Sequence, residues 1–179
     1  MRLTIIFVFG ALLLSAESMP VPKYQGESLA RPEGYREWMF VGANYGMGYT
    51  EGGEKKESPA TFHNIYIQRE AFQAYQKTGQ FPDKTMLVME VIRPGTNASI
   101  NKRGMFQDQF VGVEVALKDG GRYPEKWAYF NFIGAGGKAL AEAKPFAKDR
   151  CWSCHNQHAA VDNVFVQFYP VLRDARKGR

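Results

Sequence analysis

The sequence predicts an α+β domain that is mainly β: an antiparallel sheet of about five strands with helices at its periphery. Three observations lead there. Residues 62–67, 85–92, 109–117 and 127–133 are β-branched and aromatic runs bounded by Gly, Pro and Asp-Gly turn signals. Residues 69–78 carry the clearest helical periodicity. The runs show no βαβ alternation and no internal repeat, which excludes a parallel sheet and a solenoid.

Taken in order, the chain opens on Met1 and Arg2, followed by an apolar run over residues 3–14 and by Ala16-Glu17-Ser18. The run is too short to span a bilayer, and the small residues suit a signal peptidase, so residues 1–18 read as a signal peptide. Residues 19–179 then form a single domain. The Pro-, Gly- and Glu-rich stretch 19–34 reads as an extended arm, 36–41 as a first strand and 42–59 as a loop. Residues 62–67 form a strand. In the helix 69–78, Ala71, Phe72 and Tyr75 share a face and Gly79 ends it. The strand 85–92 closes at Pro94-Gly95, and 95–105 is polar loop. The strand 109–117 ends at Asp119-Gly120-Gly121, across which 127–133 pairs with it. After the Gly-rich break at 134–137 come helical segments, one carrying a cysteine motif and one near 171–176.

The net charge is +5, and it stays so without the leader because Arg2 and Glu17 leave together. No basic stripe or nucleic-acid motif accompanies it, so the charge reads as solubility and weak steering toward an acidic partner, not nucleic-acid binding; a redox partner is a separate expectation. No second apolar run is long enough to cross a membrane after cleavage.

Both cysteines of the chain stand in Cys151-Trp152-Ser153-Cys154-His155. This spacing attaches a c-type haem: two thiols one helical turn apart bond the vinyl groups, and the following imidazole reaches the iron. The expected cofactor is one covalent haem c, held by Cys151 and Cys154, with His155 as the metal ligand. A thioredoxin-like pair would sit beside an early strand of a βαβ unit, and a zinc site would need two further ligands where only His158 follows closely. Haem attachment implies export, hence a periplasmic location, where spare thiols would pair and none are present. A helical electron-transfer cytochrome c would supply a Met ligand downstream, but no Met follows Met105. The strands equally exclude a four-helix bundle.

Several stretches together carry a resemblance: Gly34-Tyr35-Arg36-Glu37-Trp38, Tyr66-Ile67, 74–81, Thr85-Met86-Leu87-Val88-Met89-Glu90, Gly112-Val113-Glu114, the haem run, and 164–172. The chain resembles the cytochrome P-460 family, closest in kind to cytochrome c′-beta. The resemblance implies a haem with an open distal side that binds small gaseous ligands, nitric oxide above all, and a homodimer. Family members that oxidise hydroxylamine carry a haem-cross-linking Lys where this chain has Met89. Their pocket Glu matches Glu114, and their pocket Arg falls on His63. Loss of the Lys argues against hydroxylamine oxidation, so the chain reads as a nitric-oxide binder in scavenging, shuttling or sensing. A hydroxylamine-oxidising enzyme and an electron-transfer cytochrome are the alternatives.

By pattern alone each pocket residue has a plainer reading. Met89 shares a face with Leu87 and Val91 and is an ordinary core methionine; on the haem side it lines the pocket in preference to binding iron. Glu114 between two valines is a solvent-facing charge, or, if buried, a proton relay. His63 is a sheet histidine or a cofactor contact. His158 is expected at the surface, and Phe62 and Phe106 are candidate aromatic caps over the iron.

Overall fold

In the computed structural model, residues 18–47, 60–96 and 98–175 are described. The leader reading, residues 1–18, therefore falls almost wholly outside them, as does most of the 42–59 loop. Five strands form the main antiparallel sheet in sequence order: β3 (Met39–Tyr45), β4 (Phe62–Ile67), β5 (Met86–Gly95), β6 (Phe106–Lys118) and β7 (Trp127–Asn131). The mainly β fold class expected from the runs is the observed one. No described helix is long and apolar enough to cross a membrane.

Two expectations are corrected at the N-terminal end. The arm is not a free extension. β1 (Tyr24–Gln25) and β2 (Ser28–Ala30) form a hairpin, and β2 also pairs with β8 (Glu142–Ala143). Gly26, at φ 58°, supplies the left-handed residue that so tight a turn requires. The first strand of the main sheet starts later than expected, because Tyr35–Glu37 forms a 3-10 turn and pairing begins at Met39. β5 and β6 run longer than the sequence suggests. Register shifts between Val91 and Ile92 and between Arg93 and Pro94 accommodate the proline, which has no N–H to give the ladder.

α1 (Arg69–Thr78) ends as expected, at Gly79 with φ 74°, whose N–H caps the Tyr75 carbonyl. Its buried Ala71, Phe72 and Tyr75 pack on one face of the sheet. The C-terminal α2 (Trp152–His158) and α3 (Pro170–Asp174) cover the same face. That core includes Ile65, Leu87, Trp127, Tyr129, Phe165 and Tyr169. The opposite face builds a second core around Val88, Val113, Val115, Leu117, Phe130 and Leu29, closed at one end by the small sheet. Both faces are therefore buried along much of β5 and β6, and alternation there separates two interiors instead of core from water.

Candidate haem site

Pleat and register bring the site together on the α2 side. On that face, residues paired across the strands form rows: Ile65, Met89, Glu114 and Asn131 in one, Ile67, Leu87, Ala116 and Tyr129 in the next. Directly opposed residues of this kind have side chains in contact range. Met89 and Glu114 are thus immediate cross-strand neighbours. Ile65, Met89 and Glu114 of the first row and Leu87, Ala116 and Tyr129 of the second floor a cavity of about 370 Å³, whose other wall carries Cys151, just before α2, and Cys154 and His155 from α2, together with Asn163, Phe165 and Tyr169. Its volume falls within the range of ligand sites, and its lining is mostly apolar. Tyr169 reaches the sheet over Gly42, where φ is 152° and an added Cβ would stand 3.0 Å from the tyrosine ring.

Cys151 caps the N-terminus of α2, and the Lys148 carbonyl accepts the Ser153 N–H at 3.1 Å. Both cysteines are half-buried and neither is in a disulfide. Burial, and next the Glu114 carboxyl, push the Cys151 thiol above its ordinary value. His155 packs between Tyr129 and Phe165, with ring centroids 4.3 and 4.4 Å away. Its Nδ1 stands 2.8 Å from the Asn163 carbonyl oxygen. A carbonyl only accepts, so Nδ1 carries the hydrogen and Nε2 keeps the lone pair that a metal would take. Burial lowers the His155 pKa, with the Asn163 hydrogen bond acting in opposition, which favours the neutral, ligating form.

Glu114 is half-buried in the cavity floor. Burial pushes its carboxyl up, while the Arg150 guanidinium pulls it back in part. Arg150 is exposed at the mouth of the cavity, with its guanidinium 4.5 Å over the Phe146 ring.

Of the residues singled out from sequence, Met89, Glu114, Cys151, Cys154 and His155 converge on this cavity. His63 does not line it. It lies on the same face one row farther along, paired with Val91, and its Nε2 is 2.9 Å from Thr61 Oγ1. The cavity's arginine is Arg150, not a residue at the position of His63. Phe62 points to the opposite face, against Tyr45 with centroids 4.6 Å apart, and Phe106 pairs with Gly95 at the far end of the hairpin. The aromatic walls are instead Tyr129, Phe146 and Phe165. His158 is exposed, as expected. Sequence reasoning missed Arg150, Tyr129 and Asn163. The adjacency of Arg150 to Cys151 was a usable signal; nothing local marked the other two.

The residues present fit a haem. Two unpaired thiols and one imidazole Nε2 face a single apolar cavity. Asn163 lines the same wall, and its carbonyl oxygen holds the imidazole at 2.8 Å. Cys151 and Cys154 would hold the group and His155 would reach its iron, while Met89 and Glu114 face it from the sheet. A bound haem supplies an iron that takes small ligands and exchanges electrons. No curated protein matches the chain. A family model, Cytochrome P460, matches residues 32–166, which include the whole main sheet, α2 and the Asn163 turn, and the chain belongs to this family of haem cytochromes.

Proposed function

We propose that the protein is an exported, periplasmic cytochrome with one covalent haem c, which binds nitric oxide or a similar neutral diatomic on an open side of the ring. The observation that carries this reading is the floor of the cavity. Met89 lines it and no lysine does; by the resemblance, the Met89 position is where hydroxylamine-oxidising members carry the cross-linking amine. A floor that is apolar apart from Glu114, and that carries no amine, favours neutral ligands over charged ones. Without the cross-link nothing distorts the ring toward oxidation. Glu114 favours the runner-up, hydroxylamine oxidation, because a buried carboxyl with a raised pKa is suited to moving protons.

Titration of the ferrous protein with NO, beside steady-state turnover of hydroxylamine with an artificial oxidant, separates the two. NO binding with negligible turnover is expected. Rapid turnover, or a ferrous form indifferent to NO, rejects the reading. Sharp low-spin ferrous bands would favour electron transfer instead. Intact mass after maturation should exceed the mature chain by one haem.

The same reading includes a homodimer. Phe40, Tyr45, Met105 and Phe110 are exposed on the sheet face away from the cavity, beyond the cover of the small sheet. A second copy laid there would remove an apolar patch from water. Sedimentation giving a monomer at micromolar concentration would count against it.

A further inference from the structure

The Asn163 carbonyl that holds His155 sits in an unusual piece of backbone. Asp162 and Asn163 are consecutive non-glycine residues in the left-handed region, at φ 46° and 60°. Such a pair persists only where its surroundings hold it. Here they do so from the sheet. Lys118 Nζ donates to Asp162 Oδ2 at 2.7 Å, and Trp127 Nε1 donates to Asp162 Oδ1 at 3.1 Å. Tyr129 Oη donates to the Asn163 carbonyl itself at 3.2 Å. Val161 and Val164 close the turn, with the Val164 N–H on the Val161 carbonyl at 2.7 Å. Lys118, Trp127 and Tyr129 stand on the cavity face of β6 and β7, so the edge of the sheet grips the turn that faces the imidazole.

The Asn163 oxygen thus accepts two donors, His155 Nδ1–H at 2.8 Å and the Tyr129 hydroxyl at 3.2 Å. The two share one acceptor's electron density. A stronger hydrogen bond from Nδ1–H raises the basicity of Nε2 and tightens its bond to a metal. We infer that Asp162 and Tyr129 are positioning residues that set the donor strength of His155 in opposite senses: Asp162 strengthens the Nδ1–H bond by fixing the turn, and Tyr129 weakens it by competing for the same carbonyl. This rests on reading His155 as the haem ligand and goes beyond that reading by assigning what tunes it.

The test uses the haem-loaded protein and reads the ferrous iron–histidine stretch by resonance Raman, with the midpoint potential measured in parallel. Asp162→Ala is expected to lower the stretch and raise the potential. Asp162→Asn, which keeps one acceptor oxygen and tolerates the left-handed backbone, should recover part of both shifts. Tyr129→Phe keeps the ring packing and should move both the other way, to a higher stretch and a lower potential. Shifts of the same sign in Asp162→Ala and Tyr129→Phe, or wild-type values in both, overturn the inference. Loosened packing alone would not raise the stretch, so Tyr129→Phe keeps the test decisive if Asp162→Ala folds poorly. Failure of the proposed function shows in wild type, as indifference to NO. Failure of this inference shows only in the variants, and the potential reads it in either coordination state.

Discussion

Glu90 and Glu114 sit on neighbouring strands of one sheet, offset by a single residue in register and facing opposite ways. Glu90 opposes Val113, and Glu114 opposes Met89. Glu90 is 2% exposed and fully engaged. It accepts from Tyr35 Oη at 2.8 Å, Arg36 Nε at 2.6 Å, Asn64 Nδ2 at 3.3 Å and Tyr66 Oη at 3.3 Å. The Glu114 carboxyl accepts no hydrogen bond among the described residues and has only the Arg150 charge to offset its burial. A carboxylate with every lone pair used holds structure together. One left short of partners at an apolar cavity is available for chemistry. The sheet thus keeps its structural acid and its candidate functional acid back to back, one pleat apart.

The sharpest way to break this comparison is to place one charge on each side. Val88 is fully buried on the Glu90 face. Val88→Lys would force an ammonium into a packed interior where the Glu90 carboxylate is already engaged, and loss of the folded state is expected in a urea or thermal melt. Met89→Lys, one residue on, points into the cavity and should fold. In the matured protein, with peroxide added as the two-electron oxidant, its amine should replace a ring C–H by a C–N bond, releasing two protons, and move the Soret band to longer wavelength. Equal loss of folding in both variants would mean that the two faces do not differ as described.

Removing Glu90 tests the other half. Glu90→Ala strands two tyrosine hydroxyls beside an exposed Arg36, while Asn64 Nδ2 keeps its bond to Gln107 Oε1 at 2.8 Å, and should cost about 2–3 kcal/mol in urea denaturation. Haem loading and NO binding should survive in the fraction that folds. A cost below about 0.5 kcal/mol would show that the network is ornamental.

The sequence made some of this plain and hid the rest for identifiable reasons. The helix at 69–78 was legible because its apolar face and terminating Gly79 agree. The β6–β7 pairing was legible because Asp119-Gly120-Gly121 marks the turn. The candidate haem-holding residues, Cys151, Cys154 and His155, were legible because all three sit within five consecutive residues. The alternation around Glu114 was misleading: Val113 and Val115 suggested one wet face, but both faces are covered, so no pattern of apolar and polar residues could assign the acid to an interior. His63 shares the cavity face but misses the cavity by one row, a register distinction that requires the strand partners. The tie among Tyr129, Asn163 and His155 runs through a backbone carbonyl, and backbone acceptors leave no mark on composition.

The smallest effect is expected at Glu114, and it concerns pH. Its folded pKa is raised by burial, so the folded state favours the protonated form. Such a group contributes fully below the ordinary glutamate value of about 4.3 and loses that contribution as pH rises through the raised value. Glu114→Gln imitates the protonated acid at every pH. Variant and wild type should therefore be about equally stable near pH 4. Near pH 7–8 the variant should be the more stable, by on the order of 1 kcal/mol or less, since Arg150 already offsets part of the burial. Urea melts at both pH values measure the gap. A gap that does not change with pH would place the Glu114 carboxyl in water and remove the contrast with Glu90. A gap that opens as pH rises would mark Glu114 as a group kept at a cost to stability, which a purely structural position would not require.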